Sequence, residues 1–575
     1  MTRLKLQELI SGVIGMDIEL EHPGLMDHGD YTTNVAMHLS SSHDASRENL
    51  RDFVARFSLD DAMLANPRLI AEKLKEKLSE DNKLLKYISK IEVAGPGFIN
   101  FWLKEEVLMD NLKEIVAQKT KYGNSNELKS RKIMVEYAHP NTHKELHVGH
   151  MRTLTLGESL ARIFEATGAQ VFRANYQGDV GPHVAKSIWG TRKFIAERNL
   201  NWEDLEKKSP AEKAHLLGEG YVKGSQEYDD NKEEIDSINK QIYEGGSKIK
   251  EDYERTRRWS LEYYDTFYSR FGTKFDKLYF ESEVAQEGKE IVMDNIGKVF
   301  EKSEGAIVFK GEKYDLHTRV FVTSDGTPTY EAKEMALAPK QFSDFEFDKN
   351  IHVVANEQKG YFEVVFKALT LIDPKFENKE EHLSMGMINL VGKKISSRTG
   401  DIVRVDALLN DIKKIIRPLS VSDKAAEQVT IAAVKYSVLK VNPSMDVLFD
   451  IKKSVDVNGN SGPYLQYTYA RTQSVLEKAK DGGVEGGSDL NSEELTTLRL
   501  LSRFPEIIVT VSKMYSVNLL CNYLYELAQS YNTFYNAHKI IGSDNEKLRV
   551  ALTKATGQVI KNGLHLLGIE SPEKM

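Results

Sequence analysis

Two histidines, His147 and His150, stand three residues apart in the segment "HPNTHKELHVGH". A strand-like run precedes this segment and a helix-like run follows it, and that placement suits phosphate binding. Gly149 lets backbone approach a nucleotide, the helix start offers free N–H groups and positive potential, and imidazoles donate to phosphate oxygens. The plainer reading is a pair of surface or structural histidines, the commoner fate of an arbitrary HxxH. His143, His147 and His150 are also a conceivable zinc triad, but no HExxH arrangement and no nearby cysteine supports one, so no metal and no structural zinc is expected. A second element, "GKKISSRTG" at 392–400, carries Lys393, Lys394 and Arg398 directly after the apolar "MGMINLV". Alone it reads as solvated surface. Its position, about 245 residues after the histidines and near the end of the same sheet, makes two cationic phosphate-binding elements that suit nucleotidyl transfer.

The elements around the histidines follow a βαβ pattern. An apolar strand, "KIMVEYA", covers 132–138 and ends at a Pro140-Asn141 turn. Met151, Leu154, Leu160, Ile163 and Phe164 then recur at helical spacing until Gly168, and "AQVFRANY" reads as the next strand. The right-handed crossover rule makes the leading architecture a doubly wound, parallel, Rossmann-like sheet, with its nucleotide crevice beyond the strand ends. The charged stretch at about 190–300 reads as a helical insertion. "GAIVF", "RVFVTSDGTPTY" and "NIHVVAN" are expected to return the chain to that sheet, closing a catalytic domain over 126–415. Residues 1–125, with the Gly95-Pro96-Gly97 break in "KIEVAGPGFINFWL", read as a separate α+β domain. Residues 416–575 read as an all-α domain with one Gly-rich acidic interruption at 480–494.

The 575 residues suffice for three or four domains. With 41% apolar and 29% charged residues, disordered and collagen-like chains are excluded. Apolar runs such as "PEIIVTV" fall short of the ~18 residues a membrane helix requires. The single cysteine, Cys521, fits a reducing compartment, and an N-terminus containing Glu8, Asp17, Glu19 and Glu21 is wrong for a transit peptide, so a cytoplasmic location is expected. The net charge of −8 argues weakly against nucleic acid, although a local basic channel is compatible with it.

The motifs together resemble a class I aminoacyl-tRNA synthetase, specifically the arginyl-tRNA synthetase family, nearly end to end. "HVGH" resembles the HIGH motif, and Lys394-Ile395-Ser396-Ser397-Arg398 resembles the KMSKS loop. "PNTHKELHVGHMRT", "NYQGDVG", "RRWSLEYYDTFY", "SDGTPTY" and "NEQKGYF" resemble arginyl-specific segments in the family's order. "HGDYTTNVAM" and "VAGPGFINFWL" resemble its extra N-terminal domain, while "YLQYTYARTQSVL" and "LLGIESPEKM" resemble its helical anticodon-binding domain.

The resemblance implies ligation of arginine to arginine tRNA through an arginyl-adenylate, with ATP and Mg²⁺ as the substrate complex, in a monomer with no membrane partner. It implies catalytic roles for His147, His150, Lys144 and Lys394. ATP contacts fall on His147, Gly149, His150, Lys394, Ser396, Ser397 and Arg398. The amino-acid pocket falls on Glu136, Asn141, Tyr330, Glu334 and Gln358, and tRNA contacts on Asp30, Tyr31, Asn34, Tyr467 and Arg471. Tyr464, Tyr467 and Arg471 share a helical face at i, i+3 and i+7, and a tyrosine there can stack on an unpaired base. Two positions depart from the family's usual pattern: Ser397 replaces the second lysine of the loop, with Lys144 placed to compensate, and Glu334 stands where aspartate is common. Two other classes share part of these features, a small-molecule nucleotidyltransferase and an inactive synthetase-like RNA-binding protein.

Overall fold

The computed structural model describes residues 3–41, 54, 56–57, 59–392, 403–479 and 490–575. The chain packs into two compact units, one of residues 1–123, 471–506 and 526–560, the other of 124–470, 507–525 and 561–575.

In the first unit β1 (Tyr31–Thr33), β2 (Ile88–Ala94) and β3 (Phe98–Leu103) form an antiparallel sheet in the order β1-β3-β2. The β2–β3 turn needs its glycines: Gly95 and Gly97 have φ of +53° and +142°, and a Cβ on Gly97 would lie 2.9 Å from the Pro67 carbonyl oxygen.

The second unit is built on a parallel sheet. Its strands β4 (Lys132–Glu136), β5 (Gln170–Gln177) and β6 (Lys277–Phe280) come first. Next, β7 (Glu301–Ser303), β8 (Ala306–Phe309) and β9 (Arg319–Val322) make a separate antiparallel sheet. The chain rejoins the parallel sheet with β10 (Lys349–Ala355) and β11 (Glu380–Met385), giving the order β6-β5-β4-β10-β11. The order reverses between β4 and β10, and in doubly wound sheets ligands bind beyond the carboxyl ends of the strands at such a switch point. In register, Glu136 at the end of β4 sits between Ala174 of β5 and His352 of β10. One face buries Met134, Ala174 and Tyr279 under helices Tyr330–Asp344 and Lys359–Ile372. Helix Val148–Ala166 makes the β4–β5 crossover. It approaches closely because Gly157 has no side chain, and a Cβ there would lie 2.2 Å from the Tyr137 ring.

Three details differ from expectation. The segments "GAIVF" and "RVFV" belong to the small antiparallel sheet, since an apolar run does not say which sheet it joins. The charged helices Pro182–Glu197, Pro210–Gln226, Lys232–Glu244 and Ser247–Arg270 form the β5–β6 crossover, and β6 falls inside the stretch read as insertion. In the helix-rich C-terminal part, β13 (Val447–Phe449) pairs with β12 (Ile388–Leu390). No helix among the described residues is long and apolar enough to cross a membrane.

Candidate active site

His147 caps helix Val148–Ala166, with extended backbone (φ −112°, ψ 168°) and its Nδ1 accepting the Gly149 N–H at 3.1 Å. His150 closes the cap, its Nδ1 accepting the His147 N–H at 3.3 Å, and the two rings stack with centroids 3.8 Å apart. Gly149 is required here, because a Cβ would meet the His147 ring at 2.8 Å. Burial, and after it the Lys144 ammonium, lowers His147 to about 4. Burial and then His147 hold His150 well below the usual imidazole range. Both rings are therefore neutral at pH 7. A neutral imidazole whose Nδ1 accepts must carry its proton on Nε2, so this network assigns two Nε2–H donors at a helix N-terminus. Lys144 stands over the Tyr221 ring at 4.3 Å. His143 is apart from this pair: it is fully buried, and its ring nitrogens meet the hydroxyls of Thr142 at 2.9 Å and Thr256 at 2.8 Å. Among the described residues no three His, Cys, Asp or Glu side chains are grouped to hold a metal.

The segment 403–405 returns alongside this cap. The Val148 N–H donates to the Val403 carbonyl at 3.3 Å and the Val405 N–H to the Leu146 carbonyl at 3.2 Å. From the same helix the buried Arg152 guanidinium donates to the carbonyls of Gly386, Met387, Pro443 and Met445. Lys393, Lys394, Ser396, Ser397 and Arg398 lie outside the described residues.

Beyond the carboxyl end of β4 the polar groups are acidic. Glu136 is buried, accepting from Gln341 and from His352 Nδ1 at 3.1 Å, and His352 Nε2 reaches Glu380 at 2.7 Å. Burial acts against charge on both Glu136 and His352. Their mutual attraction outweighs it, holding the carboxyl below the usual range and the imidazole well above. Glu334 is different. It lies on helix Tyr330–Asp344, is 7% exposed, and accepts from Tyr361 Oη at 3.1 Å. Burial, followed by the nearby charge of Glu136, pushes its carboxyl up to about 8. Every other buried carboxylate among the described residues has a basic ion-pair partner; Glu334 has none.

Of the other expected pocket residues, Tyr330 opens the Glu334 helix one turn earlier and is 54% exposed. Gln358 is exposed at the turn Asn356–Gln358 beyond β10. Asn141 bridges to Gly178, whose missing Cβ leaves room for the Asn141 Oδ1. Of the expected pocket residues, Glu334 is close enough to Glu136 for the Glu136 charge to act on it, whereas the side chain of Glu136 is already satisfied by protein partners. Sequence reading passed over four groups: His352, Glu380, Glu281, which is ion-paired with Lys333, and Tyr176 of β5. Each stands on or directly after a strand of the parallel sheet, and their grouping is visible only once strand order is known.

The residues expected to touch RNA divide. Asp30 is buried, accepting the Leu103 N–H at 2.7 Å and pairing with Arg499 at 3.1 Å, and Tyr31 donates to Glu506 at 2.6 Å. These two side chains are buried and join parts of the first unit. Asn34 is half-buried, Tyr467 is exposed, and the Arg471 guanidinium lies 4.8 Å from the Tyr535 ring centre.

Three family profiles match the chain: "Arginyl tRNA synthetase N terminal domain" over residues 4–103, "tRNA synthetases class I (R), catalytic domain" over 111–451, and "DALR anticodon binding domain" over 465–575. The arginine–tRNA ligase of Borrelia hermsii is 33% identical over 548 residues, 90% of this chain and 91% of the relative. That of Treponema denticola is 32% identical over 548 residues, 90% and 92% respectively. The solved structure of Thermus thermophilus arginyl-tRNA synthetase has the same fold, with a TM-score of 0.80 at 23% identity and complete coverage of both chains.

Proposed function

The chain belongs to the arginyl-tRNA synthetase family of class I, and from that premise we propose which of its side chains recognise arginine and ATP. The reaction joins arginine to its tRNA in two steps. Arginine and ATP form arginyl-adenylate and pyrophosphate, and the arginyl group then passes to the terminal ribose. In the first step the substrate carboxylate attacks the α-phosphorus and negative charge grows on non-bridging oxygens. Fixed donors are what that transition state requires.

The observation that carries the pocket assignment is the buried carboxyl of Glu334, the one among the described buried carboxyls with no basic partner. A guanidinium is planar, permanently charged and matched to a carboxylate's two oxygens. Tyr330, Asn141 and Gln358 complete the rim, and Glu136 acts on the pocket through its field and through His352. Beside them, the Nε2–H groups of His147 and His150 donate to the α-phosphate oxygens, with Lys144 and Lys394 as the cations and Mg²⁺ entering with ATP. Ser396, Ser397 and Arg398 belong to the nucleotide loop by resemblance. Asn34, Tyr467 and Arg471 remain the proposed tRNA contacts, and the enzyme acts as a monomer in the cytoplasm.

The Glu334 assignment predicts a pH dependence of known sign. In the free protein the carboxyl sits near 8, and a bound guanidinium favours its ionised form, so binding releases a proton at neutral pH. Affinity then falls as pH falls, by about tenfold from pH 7 to pH 6. His147 and His150 are already neutral across that window, while His352 stays charged between Glu136 and Glu380. Calorimetric titration of arginine in buffers of different ionisation enthalpy reads both quantities. Affinity independent of pH, with no proton release, would remove Glu334 as the guanidinium partner.

Lys144 is assigned the charge that Ser397 lacks. Lys144→Ala is expected to slow adenylate formation about as much as Lys394→Ala, roughly 10²-fold each. Ser397→Lys should partly restore the Lys144→Ala enzyme. A silent Lys144→Ala beside a crippled Lys394→Ala would show that no compensation operates.

A further inference from the structure

We propose that Tyr176 is a second arginine-specifying residue, its hydroxyl accepting a guanidinium N–H that Glu334 leaves unpaired; this assignment rests on the arginine pocket argued above. Side chains alternate along a strand, so Phe172, Ala174 and Tyr176 of β5 face the same core, under helices Tyr330–Asp344 and Lys359–Ile372. Met134 of β4 faces that core as well, and Glu136 is two residues further along. Glu136 is in register with Ala174, which puts Tyr176 two residues beyond it, at the crevice end of the sheet.

The Tyr176 hydroxyl is buried and has no hydrogen-bond partner. Buried hydroxyls are ordinarily satisfied, and an orphan at a substrate crevice marks where a ligand atom belongs. Carboxyl groups lie near it: burial first, then Glu281 and Glu334, push the hydroxyl well above the ordinary tyrosine range. A guanidinium that draws the proton off Glu334 on binding is stabilised there. Neighbouring groups are already committed, since Lys333 takes Glu281 and Tyr361 donates to Glu334. A guanidinium brings five N–H donors, of which a single carboxylate accepts two in the forked geometry. The others need acceptors, and the Tyr176 oxygen is one held in reserve.

Tyr176→Phe tests this by removing one oxygen and nothing else. Arginine binding to the full chain is expected to weaken roughly 10- to 100-fold, the scale of a hydrogen bond to a charged group. ATP affinity should be unchanged. The melting temperature of the free protein should be equal or higher, because the lost hydroxyl was unsatisfied. Unchanged arginine affinity, or a fall in melting temperature accompanied by equal losses of arginine and ATP binding, would overturn the assignment. Wild-type protein and Glu334→Gln measured alongside separate the two claims. If arginine binds wild type and fails with Glu334→Gln while Tyr176→Phe binds normally, the pocket stands and Tyr176 is excluded. If wild type ignores arginine, the pocket itself is wrong.

Discussion

Glu334→Gln is expected to weaken arginine binding about 10²- to 10³-fold while leaving ATP binding near the wild-type value. A buried cation deprived of its charged partner loses on the order of 3–5 kcal/mol. At neutral pH part of that loss is offset, because wild-type Glu334 must first give up a proton to bind. The amide keeps the shape and can still accept from Tyr361. A purely structural residue would give the opposite pattern, and stability separates the two. The Glu334 carboxyl is held above its unfolded value, so the folded state binds the extra proton and stability falls as pH rises from about 4.5 to about 8. Removing the charge relieves that loss, so Glu334→Gln should melt no lower than wild type at pH 8. Glu334→Asp should bind arginine more weakly than wild type yet better than the amide, since it keeps the charge with a shorter reach. Titration calorimetry and thermal melts on the three proteins check these expectations. Normal arginine affinity in the amide would pass the role to Glu136.

His147→Ala and His150→Ala are each expected to slow adenylate formation by roughly 10²–10³-fold, the cost of one preorganised donor to a developing oxyanion. Arginine affinity should barely change, since the cap hydrogen bonds of the two rings involve neither Glu334 nor its partner Tyr361. The two losses should be less than additive. The His150 ring accepts the His147 N–H, and the rings stack, so deleting one disturbs the other. Both rings are already neutral at pH 7, so the rate should show no imidazole titration between pH 6 and 8. Single-turnover adenylate formation across that range measures all of this. At saturating arginine, where the Glu334-linked change in affinity no longer limits the rate, a rise through pH 6.5 with a slope of one would mean that a histidine loses its proton there, against the neutral-donor assignment.

How much of this was legible beforehand depended on what each residue answers to. "KIMVEYA" and "AQVFRANY" were readable because central parallel strands are buried on both faces and appear as apolar runs. Helix Val148–Ala166 was readable from its spacing and its Gly168 stop. β11, "EEHLSM", carries two glutamates and a histidine and sits at a sheet edge, so no periodicity announces it. β6 is four residues long and hidden behind charged helices. At the site, motif residues such as His147 and Gly149 were visible because cap geometry is local. His352, Glu380 and Tyr176 were not, because their roles follow from strand order, which brings β10 and β5 to either side of β4. Asp30 and Tyr31 were recognisable as a motif, while their partners Arg499 and Glu506 lie more than 450 residues away in sequence.

The most direct test of the central claim is ATP–pyrophosphate exchange by the purified chain with each of the standard amino acids, in the presence and absence of tRNA. Exchange that depends on arginine alone, and is abolished by Glu334→Gln at sub-saturating arginine, is the predicted result. Exchange supported by a different amino acid, or by none under either condition, would contradict it.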